Sequence, residues 1–426
     1  MTSNALPNAD DITRVVLHNG MTVLVRENHS APVVVTEGYI PAGSIHESAE
    51  QAGLSSFVSS MLTRGSARYT FDQFNETVEA LGASLGAGSD NHYTNFSTTS
   101  LSEDFPQMMQ VLADVLRNPL FPAEQVERVR QQKLVRLQER AQDTNRMASL
   151  RFYETIYGHH PYGRAVSGYI ESVRAIGQAD LAAFHNAYYT PNGAVLVIVG
   201  DVDTQQVLDL IHAQFGTWEG AAPDQQVPPI APPSEQALVY PMADKFQSDI
   251  VLGAPAIPRH HPDYFAVRVA NTVLGQFGMM GRLGERVREE QGLAYYSYST
   301  IDSEFHAGVW LAHAGVNPAN VQQAIDSIFT EFDRLGSQPV SVEELADTQA
   351  YMTGVVPLTL ETNAGVASTL LNMEWYELGL DYLERYRDLI YGVTAADVQR
   401  VAATYLKPAQ CVQIVAGPDP DGYIED

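Results

Sequence analysis

Two short apolar runs anchor the hydrophobic pattern of the chain. Residues 194–199 read Ala-Val-Leu-Val-Ile-Val and residues 411–416 read Cys-Val-Gln-Ile-Val-Ala. Neither alternates with polar residues, so each is expected to be a strand covered on both faces. The same grammar precedes both. Asp180, Leu181, Tyr188, Pro191, Val195 and Gly200 recur as Asp397, Val398, Tyr405, Pro408, Val412 and Gly417 at one constant offset. Each set reads as a helix, a proline turn and a buried strand. Helical patterns are also expected over residues 72–81, 104–117, 123–140 and 342–353. Residues 84–101, full of Ser, Thr, Tyr and Phe, read as a strand or hairpin.

The recurrence predicts a duplication. Residues 12–219 form one expected domain and residues 236–426 the other. Between them, residues 220–235 hold Pro223, Pro228, Pro229, Pro232 and Pro233 among Ala and Gln, a semi-extended linker. Strands and helices occur without strict βαβ alternation, which predicts an α+β class with helices packed on mostly antiparallel sheets.

Composition narrows the function. The 426 residues are too many for one core and suit two. Fifty-one acidic residues against 25 basic ones leave a net charge of −26, which argues against nucleic acid and anionic membranes as partners. The bias is expected to mean a solvated surface. The single cysteine, Cys411, excludes an internal disulfide framework and fits a reducing compartment. No apolar run is long enough to span a membrane and residues 1–11 carry no leader pattern, so a cytoplasmic location is expected.

Three candidates for chemistry stand out. Residues 278–298 read as a glycine turn (Gly278-Met279-Met280-Gly281), a short helix carrying Arg282, Arg286 and Arg288, a stop at Gly292 and a strand from Leu293. Arg288 and Tyr295 would converge across that reversal, where a cation and a phenol can hold an oxyanion. On pattern alone the plainer reading stands first: a solvated arginine and a core tyrosine. Gly82-Ala83-Ser84-Leu85-Gly86 matches the G-x-S-x-G elbow of serine hydrolases. That elbow must follow a strand and open a helix, whereas Ser84 follows a helix and opens a strand. The twelve histidines include no pair three or four apart. The adjacent pairs, His159-His160 and His260-His261, diverge too far on a helix to chelate and read as structural.

The segment Gly281-Arg282-Leu283-Gly284-Glu285-Arg286-Val287-Arg288-Glu289-Glu290-Gln291-Gly292-Leu293-Ala294-Tyr295 resembles a second-domain signature of the pitrilysin/insulinase/mitochondrial processing peptidase family of zinc metallopeptidases. Further stretches fit in family order: residues 19–25, 43–47, 357–363 and 379–382. The resemblance implies two homologous α+β domains. It also implies that Arg288 and Tyr295 contact the substrate carbonyl, and that Gly86, Ala87, Gly88 and Ser89 lie on an edge strand that binds extended peptide by strand addition. The small residues suit close backbone approach, and the alternative is a plain core hairpin.

Active members carry H-x-x-E-H on a helix and a distal Glu ligand. Here the ligand positions fall on Ser56 and Ser60, the general base on Ser59, and the distal ligand near Leu137. Glu139 is close in sequence, but two helical residues turn it about 200° away. Neutral serines are poor zinc ligands and cannot act as the base. The resemblance therefore implies a non-catalytic subunit with no metal of its own. Its expected partner is a homologous, zinc-bearing subunit, and its expected substrates are unfolded peptides. The competing expectation is a scaffold subunit with no catalytic part. A self-sufficient peptidase with a different site is the third.

Overall fold

The computed structural model describes residues 6–221, 227–233, 237–276 and 281–418. Part of the proline-rich linker, with Pro223, and Gly278, Met279 and Met280 of the glycine turn lie outside these residues. Strands β1 (Thr13–Val16), β2 (Thr22–Glu27), β3 (Val33–Ile40), β4 (Ser84–Ser89), β5 (Thr94–Leu101) and β6 (Val195–Gly200) form one sheet in the order β1-β2-β6-β3-β5-β4. Strands β7 (Ala237–Pro241), β8 (Ser248–Ala256), β9 (Ala294–Ser303), β10 (Gly308–Val316) and β11 (Val412–Gly417) form a second, ordered β7-β11-β8-β10-β9. The second order repeats the first without β1. In each sheet one pair is parallel, β2 with β6 and β7 with β11, and the rest are antiparallel. The edge strand β4 thus corresponds to the edge strand β9.

The helices are α1 (Leu54–Met61), α2 (Phe71–Ala80), α3 (Phe105–Arg117), α4 (Ala123–Arg140), α5 (Thr144–Tyr157), α6 (Ile170–Ala175) and α7 (Gln178–Tyr188). Then follow α8 (Thr204–Phe215), α9 (Tyr264–Asn271), α10 (Val321–Ser337), α11 (Val342–Thr359), α12 (Asn363–Trp375), α13 (Tyr382–Tyr391) and α14 (Ala395–Tyr405). Local chemistry sets their starts. Thr70 Oγ1 accepts the Gln73 N–H while Gln73 Oε1 accepts the Thr70 N–H, a capping box that opens α2. Thr394 and Asp397 do the same for α14. The helix expected over 342–353 runs on to Thr359 and takes Pro357 inside it.

Every residue of β6 is buried, and the two faces use alternate residues. Leu196 and Ile198 join a cluster with Phe57, Met61 and Leu112. Val195, Val197 and Val199 join another with Val366, Ala367, Leu370 and Leu371 of α12. Each such leucine or isoleucine contributes roughly 2 kcal/mol by burial. Leu370→Ala would leave a cavity at a cost of about 2–5 kcal/mol.

The covering helix comes from the far half of the chain. One compact unit comprises residues 1–137, 164–226 and 356–385, and the other residues 138–163, 227–355 and 386–426. Helix α12 packs on β3 and β6 of the first, and α5 packs on β8 and β11 of the second. Each half donates the equivalent helix to the other unit. The linear division at residues 220–235 follows the order of the chain and does not include this exchange. Among the described residues no helix is long and apolar enough to cross a membrane.

Candidate functional site

Helix α1 begins at Gly53, whose φ of +98° demands glycine. The buried Glu47 carboxylate fixes this start by accepting the N–H groups of Gly53 (2.9 Å) and Ser55 (2.6 Å). Burial pushes the Glu47 carboxyl up to about 7, and the two N–H groups oppose that rise. One turn further lie the serines. Ser59 and Ser60 spend their hydroxyls on their own helix, donating to the Ser56 carbonyl at 3.1 and 2.7 Å.

A cation already sits at this place. Lys133 of α4 donates from Nζ to the Ser56 carbonyl and to Ser56 Oγ, both at 2.9 Å. Its side chain is buried, with Nζ 5.6 Å from the centre of the Phe57 ring. Burial, reinforced by Arg136 and partly offset by Glu47, pulls its ammonium down from 10.5 to about 8. It is therefore charged at neutral pH. A zinc ion does not fit here: neutral hydroxyls bonded to the Ser56 carbonyl are poor ligands, and the ammonium holds the Ser56 oxygens. Leu137, at the expected distal position, is buried in the apolar cluster, and Lys133 of α4, 77 residues after Ser56, is the residue that bonds the Ser56 oxygens. Nothing in the hydrophobic pattern separates Lys133 from the other polar residues of α4. Only its distance along the chain from Ser56 marks it.

Lys133 lines a cleft of about 250 Å³ between α1, α4 and β4. Gly86 and Ala87 line it on one side, and Ser60, Thr63, Arg64 and Arg136 on others. Strand β4 is a sheet edge, paired to β5 on one side only. A Cβ built on Gly86 would meet only Ser97 Oγ, at 3.8 Å, so the fold itself does not require glycine there. Among the four expected peptide-contacting residues, Gly86 is exposed and Ala87 and Gly88 are half-buried. Ser89 differs. Its hydroxyl donates to Ser55 Oγ at 2.9 Å and ties the strand to α1. The Ser84 motif is set aside on geometry, since Ser84 opens β4 after helix α2.

The second candidate belongs to the other unit. Arg288 lies in a π-helical segment, Gly284–Glu290, which ends at Gly292 with φ +63°. The Gly292 N–H bonds the Arg288 carbonyl (3.0 Å) and the Leu293 N–H bonds the Val287 carbonyl (3.0 Å). This closure resembles a Schellman motif widened by one residue, as π spacing requires. Strand β9 then starts at Ala294. Ala294 pairs with Val316 and Tyr296 with Gly315, so Tyr295 is an extra residue, a β-bulge. It is 62% exposed, which overturns the reading of a core tyrosine. Arg288 is exposed beside Glu289 at 3.6 Å. No hydrogen bond or ion pair among the described residues joins Arg288 to Tyr295. Arg282 is not free: its guanidinium makes a two-point ion pair with Glu344 of α11 at 2.7 and 2.8 Å. The bulge and this pair leave no mark in the sequence pattern.

The histidine pairs close turns. His160 Nδ1 accepts the Tyr162 N–H and His261 Nδ1 the Asp263 N–H, each at 3.1 Å.

Comparison with known proteins matches both halves of the chain. Residues 22–169 match the family described as insulinase (peptidase family M16), and residues 175–352 match the peptidase M16 inactive domain. The chain is 25% identical to an uncharacterised zinc protease of Streptomyces coelicolor, over 93% of this chain and 87% of that protein. It is 26% identical to cytochrome b-c1 complex subunit 1 of Bos taurus, over 65% and 58% of the two chains. Among solved structures, a peptidase M16 inactive domain from Pseudomonas fluorescens superposes with a TM-score of 0.89 at 25% identity, covering 96% of this chain and 98% of the other. A protease from Helicobacter pylori shares the fold, with a TM-score of 0.88 at 20% identity over 97% and 100% of the two chains. With its duplicated sheets, its altered metal position and these matches, the chain belongs to the insulinase family, peptidase family M16, on its non-catalytic side.

Proposed function

We propose that this chain is the non-catalytic subunit of a heterodimeric zinc-dependent peptidase that cleaves unfolded peptides. The zinc belongs to a homologous partner carrying H-x-x-E-H. This chain offers the β4 edge to extended peptide and supplies Arg288 and Tyr295 to the partner's site. The observation that carries the reading is Tyr295. A bulge turns it out of its strand, and its hydroxyl bonds nothing among the described residues. An exposed phenol and an exposed guanidinium flanking one π-helical closure are suited to meet a developing oxyanion.

The division of labour is chemically coherent. Water activation needs a metal and a carboxylate base, and α1 offers neither. Oxyanion stabilisation needs only donors, and a guanidinium at Arg288 with a phenol at Tyr295 suits that part. A second reading, a scaffold subunit without catalytic contribution, draws on the similarity to cytochrome b-c1 complex subunit 1. The experiment is reconstitution with an H-x-x-E-H homologue, sought first in the neighbouring reading frame. The expected result is a 1:1 complex by light scattering, with zinc in the partner alone and peptidase activity only in the complex. A partner fully active alone would favour the scaffold. One tightly held zinc in this chain would overturn the reading.

A further inference from the structure

The cleft beside α1 gathers three cations, and the fold answers them only in part, through Glu47 behind Lys133. Lys133 hydrogen-bonds only the neutral oxygens of Ser56. Arg64 has its Nε buried without a partner, and its guanidinium lies 4.6 Å from the centre of the Phe71 ring. Among the described residues, Arg136 makes no hydrogen bond or ion pair. All three line one cleft, together with the hydroxyl-bearing Ser60 and Thr63. No Asp or Glu lines it. This is anomalous in a chain with 51 acidic and 25 basic residues. Lys133 is buried, Arg64 half-buried and Arg136 exposed; a buried cation without a counter-charge beside it is costly, and the carboxylates to pair it are abundant elsewhere in the chain. The missing counter-charge is therefore best supplied from outside.

The cleft also borders the open edge of β4 at Gly86 and Ala87. A peptide added to that edge would satisfy its own backbone groups and place alternate side chains over the cleft. We propose that the position of the lost metal has become an anion site, in which Lys133, Arg64 and Arg136 receive a carboxylate of an extended peptide lying along β4. Where active members present a cation to a peptide carbonyl, this chain presents fixed ammonium and guanidinium groups to a peptide carboxylate. The ligand class is an acidic peptide segment, with either a Glu or Asp side chain or a C-terminal carboxylate in the cleft. Only the β4 edge is shared with the proposed subunit role. Arg288, Tyr295 and the partner take no part, so the test uses this chain alone.

The experiment is fluorescence anisotropy with labelled, β-prone decapeptides at physiological salt. One carries a central Glu and a C-terminal amide. A second carries Gln and a free C-terminus. A third carries Gln and an amide, and a fourth Lys and an amide. The chain's net charge of −26 repels acidic peptides in general, so preferential capture reports a local site. The Glu or free-carboxylate peptide is expected to bind about tenfold or more tighter than the neutral one, and the Lys peptide weakest. Whichever acid wins identifies the source of the carboxylate. Arg136→Gln, at an exposed position that leaves folding intact, is expected to lose about three- to tenfold for the acidic peptide and nothing for the neutral one. Lys133→Met is expected to abolish the preference. Equal binding of all four peptides, or an acidic preference unchanged in both variants, would overturn the site. Binding of inorganic phosphate by a chain that binds none of the four peptides would overturn its assignment to peptide. None of these outcomes bears on whether the partner complex forms or turns over.

Discussion

Lys133→Met replaces a buried ammonium by an apolar side chain of similar length, and its effect on stability follows from the surroundings. Burial lowers the ammonium's pKa from 10.5 to about 8. Keeping it protonated in the fold at neutral pH therefore costs about 3 kcal/mol relative to the unfolded chain. Against this stand its two hydrogen bonds, to the Ser56 carbonyl and Ser56 Oγ. Together they return about 1–2 kcal/mol. The Ser56 carbonyl keeps its bonds from Ser59 and Ser60, so the variant leaves no orphaned acceptor there. Lys133→Met is expected to be more stable than the natural chain by about 1–3 kcal/mol at pH 7, measured by urea unfolding. The pH dependence gives the sharper readout. A lysine whose pKa is lowered by folding penalises the fold fully below pH 8, and the penalty lifts as pH rises towards 10.5. The gap between variant and natural chain is therefore expected to be constant below pH 8 and to close by about pH 10.5. A destabilised variant, or a gap independent of pH across that interval, would refute the reasoning. A stabilised variant that has lost its acidic-peptide preference would mark Lys133 as kept for binding at the expense of stability.

Other perturbations follow from the same geometry. Arg282→Ala breaks the two-point pair with Glu344 and is expected to cost about 1–3 kcal/mol, with strong coupling to Glu344→Gln in a double-mutant cycle; additive effects would deny the pair. Arg286→Ala removes only the exposed Glu290 pair at 2.6 Å and is expected to stay within about 0.5 kcal/mol, which makes it the proper control for Arg288. His313, stacked on Tyr298 in β10, has its pKa pulled down to about 4 by burial. Its contribution is present above pH 6.5 and is lost as pH falls towards 4, so His313→Phe is expected to remove about 3 kcal/mol of acid sensitivity from urea unfolding. Glu47 acts in the opposite sense. Its raised carboxyl favours the fold below pH 4.5, and that advantage fades as pH rises through 7, a trend Glu47→Gln is expected to abolish.

Much of this fold is legible in the residues. The unbroken apolar runs mark β6 and β11 as strands covered on both faces, and their matching surroundings announce two equivalent sheets. The four serine and leucine substitutions at the family's metal positions are equally plain. Three features are not legible, each for a physical reason. Periodicity shows that α5 and α12 have an apolar side, but an apolar side fits either sheet, so the exchange of the two helices stays hidden. Lys133 sits on a helix crowded with Arg and Gln, and its burial depends on how α4 packs against α1. The π-helical segment and the Tyr295 bulge are shifts in hydrogen-bond register, which no residue pattern encodes. The acidic bias was also a poor guide to local charge, because the cleft beside α1 is cationic within an acidic chain.

The proposed role rests on two side chains acting in a partner's site, and steady-state kinetics of the reconstituted complex tests it most directly. Arg288→Ala and Tyr295→Phe are both surface changes, so assembly is expected to be intact for each, with Arg286→Ala as the control. Each of the two is expected to lower kcat by about tenfold to a thousandfold, since an oxyanion donor acts mainly in the transition state. Complexes that assemble with either substitution and keep the natural kcat and KM would contradict the role and leave this chain a scaffold.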